Sequence, residues 1–415
     1  MAMVAMQSLP GTGIVFGNNA YRRLLTQGTF YSSALQLSNV SAVLPLICVQ
    51  LGSRSVAGLL FPIFNVGVIA ADAASPFILG RSRHMKHLVF VAAAVAMAVL
   101  IAGAAISADR AWFINVVFVV TAAGVGLAKG VSDGAHAELI AAKLPRRRRT
   151  QLVLGEGAGS AVIVVAATLL VLPALTGGSA NGHVMVLWMG AAGLIGAAVV
   201  AYVGGPVNHH ASAPIHGIGE MVRRGVCVVQ SQPWFRTYVL TQVAFVPIGL
   251  SALFYGLYTT SSSGGGVNVL VFVGFSSIGV LLGVYLWRAV HRRWGIRGML
   301  VASSHMAVAT AVLCIVAHMM GVWSQTWLCG LVFLLAAAAN KAVWASAIEW
   351  LASFAHDHDR ALLMGFGLVT VAVVTSVLAV ALGRISAHSG AIWPVVILLG
   401  LNLVAVVAAT RAPAV

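Results

Sequence analysis

Twelve predominantly apolar runs, each about 20 residues or longer, succeed one another along this chain. Short segments holding its arginines, glycines and prolines separate them. A bilayer core is ~30 Å thick and a helix rises about 1.5 Å per residue, so each run has the length of one transmembrane helix. In hydrocarbon every backbone N–H and C=O must be satisfied within its own element, and the helix does this. The runs are 29–51, 55–80, 87–107, 111–142, 150–173 and 183–205, then 236–260, 267–288, 298–319, 323–354, 362–384 and 391–410. Only 8% of residues are charged and 60% are hydrophobic, whereas a soluble domain has about a quarter charged. The expected fold class is an all-α polytopic membrane protein.

An internal repeat divides the runs six and six. Gly126–Gly155 and Ala338–Gly367 align at an offset of about 212 positions, placing Lys129 over Lys341, Leu139 over Leu351, Arg148 over Arg360 and Gly155 over Gly367. Tyr21-Arg22 with Leu25-Thr26-Gln27 returns as Phe235-Arg236 with Leu240-Thr241-Gln242. Long-period repetition reports architecture before any residue chemistry is considered. It predicts an N-terminal segment 1–28, a six-helix bundle over 29–205, a linker over 206–235 and a second six-helix bundle over 236–411, the bundles being pseudo-symmetric. Within the linker, GEMVRRGVCVVQ predicts a short surface helix.

The net charge of +15 is distributed by loop. Arg22 and Arg23, then Arg81, Arg83 and Lys86, Lys143 with Arg146–Arg149, Arg223, Arg224 and Arg236, the group Arg288 to Arg297, Arg360 and Arg411 all fall on one side of a twelve-span chain. The opposite loops hold Arg54, Arg110 and Arg384. The positive-inside rule predicts cytoplasmic termini, and topology thereby accounts for the arginine run without nucleic acid. Anionic inner-leaflet lipid is the expected contact of these loops. The first 28 residues lack the compact apolar core of a cleavable signal, and the four cysteines show no pairing or metal-ligand spacing. His356-Asp357-His358-Asp359 contains ligand-type side chains but aligns with the arginine-rich loop of the first half, so a solvated loop is expected there.

Twelve spans in two halves, a long middle loop and basic loops after spans 2 and 8 together resemble the major facilitator superfamily over almost the whole chain. Arg292-Arg293-Trp294-Gly295-Ile296-Arg297 is similar to the basic end of that family's D-R-x-G-R-[RK] loop. The motif's aspartate is replaced, with Gly80 and Arg292 near the expected positions; the R-x-x-Q-G motif of span 4 is absent; and the span-5 proline-glycine signature is reduced to Gly155-x-x-x-Gly159. The chain is thus identified as a divergent member. The resemblance implies alternating access by two rocking bundles around a midplane site lined by spans 4 and 10.

Ionisable side chains at bilayer depth are costly, so they face the protein interior or a water-filled cavity. Those present are Asp72, Lys129, Asp133, Glu156, Lys341 and Glu349. With about 100° per residue, Lys129, Asp133 and His136 share one helix face while Glu138 points away. Lys341 and Glu349 share a broader face. Two readings of the lysines stand side by side: a cationic pair for an anionic solute group, or ammonium groups neutralised by Asp133 and by an acid across the bundle. Asp72, Asp133, Glu156 and Glu349 are candidates for proton coupling or gating. Gln36 and Asn39 in span 1 and Tyr255 in span 7 are candidate neutral contacts to a solute.

These features predict a secondary active transporter of the plasma membrane, or of the inner membrane in a two-membrane cell. It would be a monomer that moves a small organic solute, with the proton as coupling ion. No phosphate-binding loop, cofactor motif or metal cluster is legible, and neither is an enzyme's cluster of catalytic side chains. The alternative is a non-transporting protein of the same fold: a lipid scramblase, a sensor or a membrane enzyme.

Overall fold

A computed structural model describes residues 12–39, 43–50, 54–107, 114–144, 146–171, 182–206, 218–262, 269–323, 325–355 and 359–412. The histidine-aspartate segment at 356–358 and the linker histidines at 209, 210 and 216 lie outside the described residues. Thirteen helices and no strand occur among those described: α1 (Thr12–Leu37), α2 (Val43–Gln50), α3 (Arg54–Arg81), α4 (Lys86–Ser107), α5 (Ile114–Lys143), α6 (Arg146–Ala166, continued by one π-turn at Ala167–Val171) and α7 (Gly182–Gly204). There follow α8 (Ile218–Ser231), α9 (Pro233–Ser262), α10 (Val269–Met319), α11 (Thr326–Phe354), α12 (Arg360–Ser389) and α13 (Ile392–Ala409).

Ten of these helices are long and apolar enough to cross a membrane. One of the ten counts twice, because α10 is folded back on itself at Gly295, where φ is 62° and ψ is −157°. That left-handed region is open to glycine without a Cβ penalty. Along the first arm, Gly279 lies on Leu334 and Gly283 on Ala338, so this arm runs parallel to α11. Along the second, Ile296 and Leu300 share a core with Trp350, whereas Cys314 and Ala317 share one with Leu328 and Val332, so this arm runs antiparallel. The two arms are the spans predicted at 267–288 and 298–319.

The first predicted span is corrected. Residues 29–51 do not form one helix: α1 begins at Thr12, inside the segment expected to precede the membrane, and ends at Leu37. The Asn39 carbonyl then accepts from Val43 N at 2.6 Å and starts the short α2. The composition explains the miss, since Arg22, Arg23 and several polar residues dilute the apolar pattern that marks the other spans. The helix predicted over GEMVRRGVCVVQ is present as α8.

Small residues set the helix spacing within each half. A Cβ on Gly126 would stand 2.2 Å from the Phe64 carbonyl oxygen, and one on Gly67 would stand 2.5 Å from that of Ala123, so α3 and α5 touch backbone to backbone. The same device recurs 212 positions later, where a Cβ on Gly279 would lie 2.1 Å from the Leu334 carbonyl oxygen. Backbone cannot yield as a side-chain tip can. Gly126→Ala is therefore expected to destabilise the fold by about 1–3 kcal/mol, seen as a lower thermal-unfolding midpoint in detergent. Gly103→Ala, with nothing within 4 Å of its added Cβ, should leave the midpoint unchanged.

Several loop cations do structural work besides marking a side of the membrane. Lys143 Nζ donates to the carbonyls of Gly204 and Gly205 at 2.8 and 3.1 Å, closing the C-terminus of α7. Arg149 donates to Leu144 O at 3.0 Å and to Ala141 O at 2.5 Å, closing α5. Both satisfy orphan carbonyls at the negative end of a helix dipole. Lys86, read from sequence as a loop charge, is buried and donates to Glu138 at 2.6 Å.

The halves meet along α6 with α10 and α11, and along α3 with α12. Leu154 packs with Val284, Trp287 and Ala342 on the first seam, and Phe61 with Phe254 and Leu382 on the second.

Candidate functional site

On α5, Lys129, Asp133 and His136 fall at i, i+4 and i+7 of one helical face, and that face meets α1 and α6. The Lys129 ammonium donates to Asp133 Oδ2. The other carboxylate oxygen accepts from the Tyr31 hydroxyl of α1 at 2.7 Å. One turn away on each helix, Gln27 Nε2 lies 3.4 Å from His136 Nδ1. The far ring nitrogen, His136 Nε2, is 3.1 Å from Glu156 Oε1 and 3.3 Å from Oε2. Because α1 and α5 are antiparallel, Gln27 and Tyr31 meet His136 and Asp133 in reverse order. The result is a ladder with two rungs.

This geometry fits a neutral imidazole carrying its proton on Nε2, donating to Glu156 and accepting at Nδ1 from the Gln27 amide. If Nδ1 gains a proton, the Gln27 amide has only to rotate and present its oxygen. Gln27 thus accommodates both charge states of the ring.

Two glycines make room for the charges. Any Cβ on Gly28 would lie 2.1 Å from Glu156 Cδ and Oε1, so the carboxylate of α6 lies directly on the α1 backbone. A Cβ on Gly157 would lie 2.7 Å from Lys341 Cε and 2.9 Å from Nζ. Lys341 belongs to α11 in the other half, so its ammonium crosses the seam and sits beside Glu156, whose charge acts on it. Asp72 on α3 is buried with Oδ1 2.9 Å from where a Gly130 Cβ would be, and its charge acts on Lys129 and Asp133. The Lys129 and Asp133 side chains each keep 27% of their surface accessible although they lie between helices.

Of the side chains singled out from sequence, Asp72, Lys129, Asp133, Glu156 and Lys341 are brought into one region. Lys129 takes Asp133 as its partner, while Lys341 crosses to α6. Glu349 is elsewhere: it lies 3.2 Å from His291 Nε2 on the first arm of α10. Gln36 bridges the halves, donating to Ser160 Oγ at 2.9 Å and accepting from Ser277 Oγ at 3.2 Å. Asn39 sits past the end of α1, and Tyr255 is buried in the core of the second half with Cys314, Trp323 and Val332. Sequence reasoning did not single out Tyr31, it read Gly157 with Gly155 and Gly159 as a helix-packing residue, and it noted Gln27 only as part of the Leu-Thr-Gln repeat. A glutamine and a tyrosine one turn apart on the first helix were the available signal.

The repeat is one-sided at this site. At the 212-position offset, Asp72, Asp133, His136 and Glu156 correspond to Val284, Ala345, Ile348 and Leu368; the lysine alone recurs among these. Val284 and Ala345 are buried in the apolar cluster of the seam. The second half therefore presents a cation, and the first half presents the acids.

No family model matches the chain. Among solved structures, the proton:xylose symporter XylE of Escherichia coli, a major facilitator superfamily protein, is similar with a TM-score of 0.67 at 12% identity, covering 94% of this chain and 95% of that one. The human organic anion transporter MFSD10 is similar with a TM-score of 0.66 at 14% identity, covering 95% and 99%. A bacterial homologue of the iron transporter ferroportin in its outward-facing state has a TM-score of 0.67 at 14% identity, covering 94% and 98%. At such identities these likenesses establish the major facilitator fold. In sequence, the chain is 39% identical over 400 residues to the uncharacterized proteins Rv2209 of Mycobacterium tuberculosis and Mb2232 of Mycobacterium bovis, spanning 95% of this chain and 77% of each relative. The chain accordingly belongs to the same family as these mycobacterial proteins, and it carries the major facilitator fold.

Proposed function

We propose that this protein is a secondary transporter that moves a small organic solute with an anionic group by alternating access, coupled to a proton. The carrying observation is the Lys341 ammonium, which reaches from the second half onto Gly157 beside Glu156 of the first. Glu156 and Lys341 thus stand on opposite sides of the seam, close enough for the charge of the acid to act on the ammonium. A solute carboxylate or phosphate of the same charge as Glu156 competes for that ammonium. When it wins, Glu156 retains His136 as its partner, and the pair takes up a proton so that the region gains no net charge. Charge balance in a low-dielectric interior is what links solute binding to protonation.

Lys129 has a different part in this reading. Bound to Asp133 and supported by Tyr31, it keeps one carboxylate neutralised while Glu156 changes partners. Asp72, buried beside them, is a second proton-bearing candidate. The arginine bias of the loops supports a plasma-membrane orientation with cytoplasmic termini.

The test is uptake into proteoliposomes across a panel of organic anions, cations and neutral solutes, with and without an imposed pH gradient. Accumulation of an anion that follows the pH gradient, with proton movement recorded by an entrapped dye, is the expected result. Uptake confined to cations would overturn the anion assignment, and uptake indifferent to the gradient would remove proton coupling. Movement of lipid rather than any solute would favour a scramblase.

A further inference from the structure

One surface of the molecule takes no part in that site. Helix α8 lies under the second half: Met221 is buried, Gly225 sits against the Phe366 ring, and Val228 and Val229 pack into the same cluster as Ile296, Trp350 and Leu363. The opposite side of α8 carries Val222 and Val226, each 41% exposed and one turn apart, beside the exposed Arg223 and Arg224. Ile296 adjoins the Gly295 turn, which places a second basic group at the same end of the bundle. There Arg292, Arg293 and Arg297 are exposed, and Trp294, 59% exposed, has the Arg293 guanidinium 5.5 Å from its ring centroid. The acids described at this end are Glu220, paired with Arg224, Glu349, which faces His291, and Asp359 at the start of α12.

We infer that this face, formed by α8 and the Gly295 turn, is a docking surface for anionic phospholipid headgroups of the adjoining leaflet. Three features select that occupant. The arginines outnumber the acids and present planar donors that match phosphate bidentately. Valines one turn apart on the exposed side of α8 suit the boundary between headgroup and acyl chain, where an amphipathic helix lies flat. An exposed tryptophan with an arginine on its face suits the same boundary. Since α8 leads through Gln232 into α9, lipid held here sets the position of the first helix of the second half.

Cys227 supplies the probe. It lies on the exposed side of α8, while Cys48, Cys314 and Cys329 are buried, so an environment-sensitive fluorophore reports from that helix. The full chain, labelled at Cys227, is reconstituted in phosphatidylcholine vesicles with increasing phosphatidylglycerol. The expected result is a saturable blue shift that rises with phosphatidylglycerol and weakens with salt. Its midpoint should move about tenfold to higher phosphatidylglycerol in R292Q/R293Q, whose substitutions lie at a distance from the label. A wild-type shift identical in phosphatidylcholine alone overturns the inference, and this arm needs no variant to fold. A shift that follows protein concentration instead of lipid composition overturns it in favour of a second copy or protein partner. Because the readout is lipid contact in the absence of solute, its failure is separable from failure of the transport reading.

Discussion

Glu156→Gln is expected to reduce net solute uptake by about 100-fold while leaving exchange of solute across the same membrane largely intact. The substitution keeps the size of the side chain and its seat on Gly28, so folding should be spared. What it removes is the charge facing Lys341. Taking away the acid whose charge acts on it leaves the buried Lys341 ammonium less compensated, at a cost of about 3 kcal/mol. That cost falls on the empty carrier, because in the loaded carrier the solute supplies the anion. A penalty of about 2.8 kcal/mol on one state corresponds to about two powers of ten in its population. Net uptake requires the empty carrier to return, and exchange does not. Proteoliposomes loaded with unlabelled solute or with buffer alone separate the two modes, and equal loss in both would refute the role given to Glu156.

Lys341→Gln is expected to raise the apparent KM for an anionic solute by about 10- to 100-fold, as loss of a charge-assisted contact worth about 1.5–3 kcal/mol requires. Gly157→Ala offers an independent route to the same end. Its added Cβ would meet Lys341 Cε at 2.7 Å and Nζ at 2.9 Å, the far end of a flexible side chain, so the ammonium moves aside and the backbone stays in place. The alanine variant should thus keep its thermal midpoint and lose affinity. Lys129→Gln should behave differently, lowering the maximal rate more than affinity, because Lys129 faces Asp133 of its own helix. Kinetics measured on all three proteins decide the matter; a KM shift in Lys129→Gln equal to that in Lys341→Gln would restore a two-lysine clamp.

Much of the fold was legible because the bilayer imposes a coarse, length-based code. Apolar runs located the spans, and the offset between Lys129 and Lys341 located the duplication. Where the code failed, the cause was local. Arg22 and Arg23 concealed the first helix from a hydropathy reading, and the break after Leu37 is marked by nothing stronger than Ser38 and Asn39. In the candidate site, the Lys129–Asp133 pair follows from a spacing of four on one helix. The Lys341 contact does not, because it depends on which helices meet across the seam and on a glycine's missing side chain. Glu349 shows the limit from the other direction: helical phase put it on a face shared with Lys341, but at two turns' distance its neighbour is His291.

The fold-back at Gly295 has a mechanical consequence. One residue out of helical conformation joins the two arms of α10, so no slack exists between them, and neither arm slides along the other without breaking its own helix. The first arm forms part of the seam against α6, and the second lies in the core of its own half with Trp350 and Cys329. A displacement of the first arm at the seam would therefore be passed to the second arm, in the interior of the second half, through a single residue. Under the alternating access proposed above, the compliance would then reside in the connections outside this hairpin.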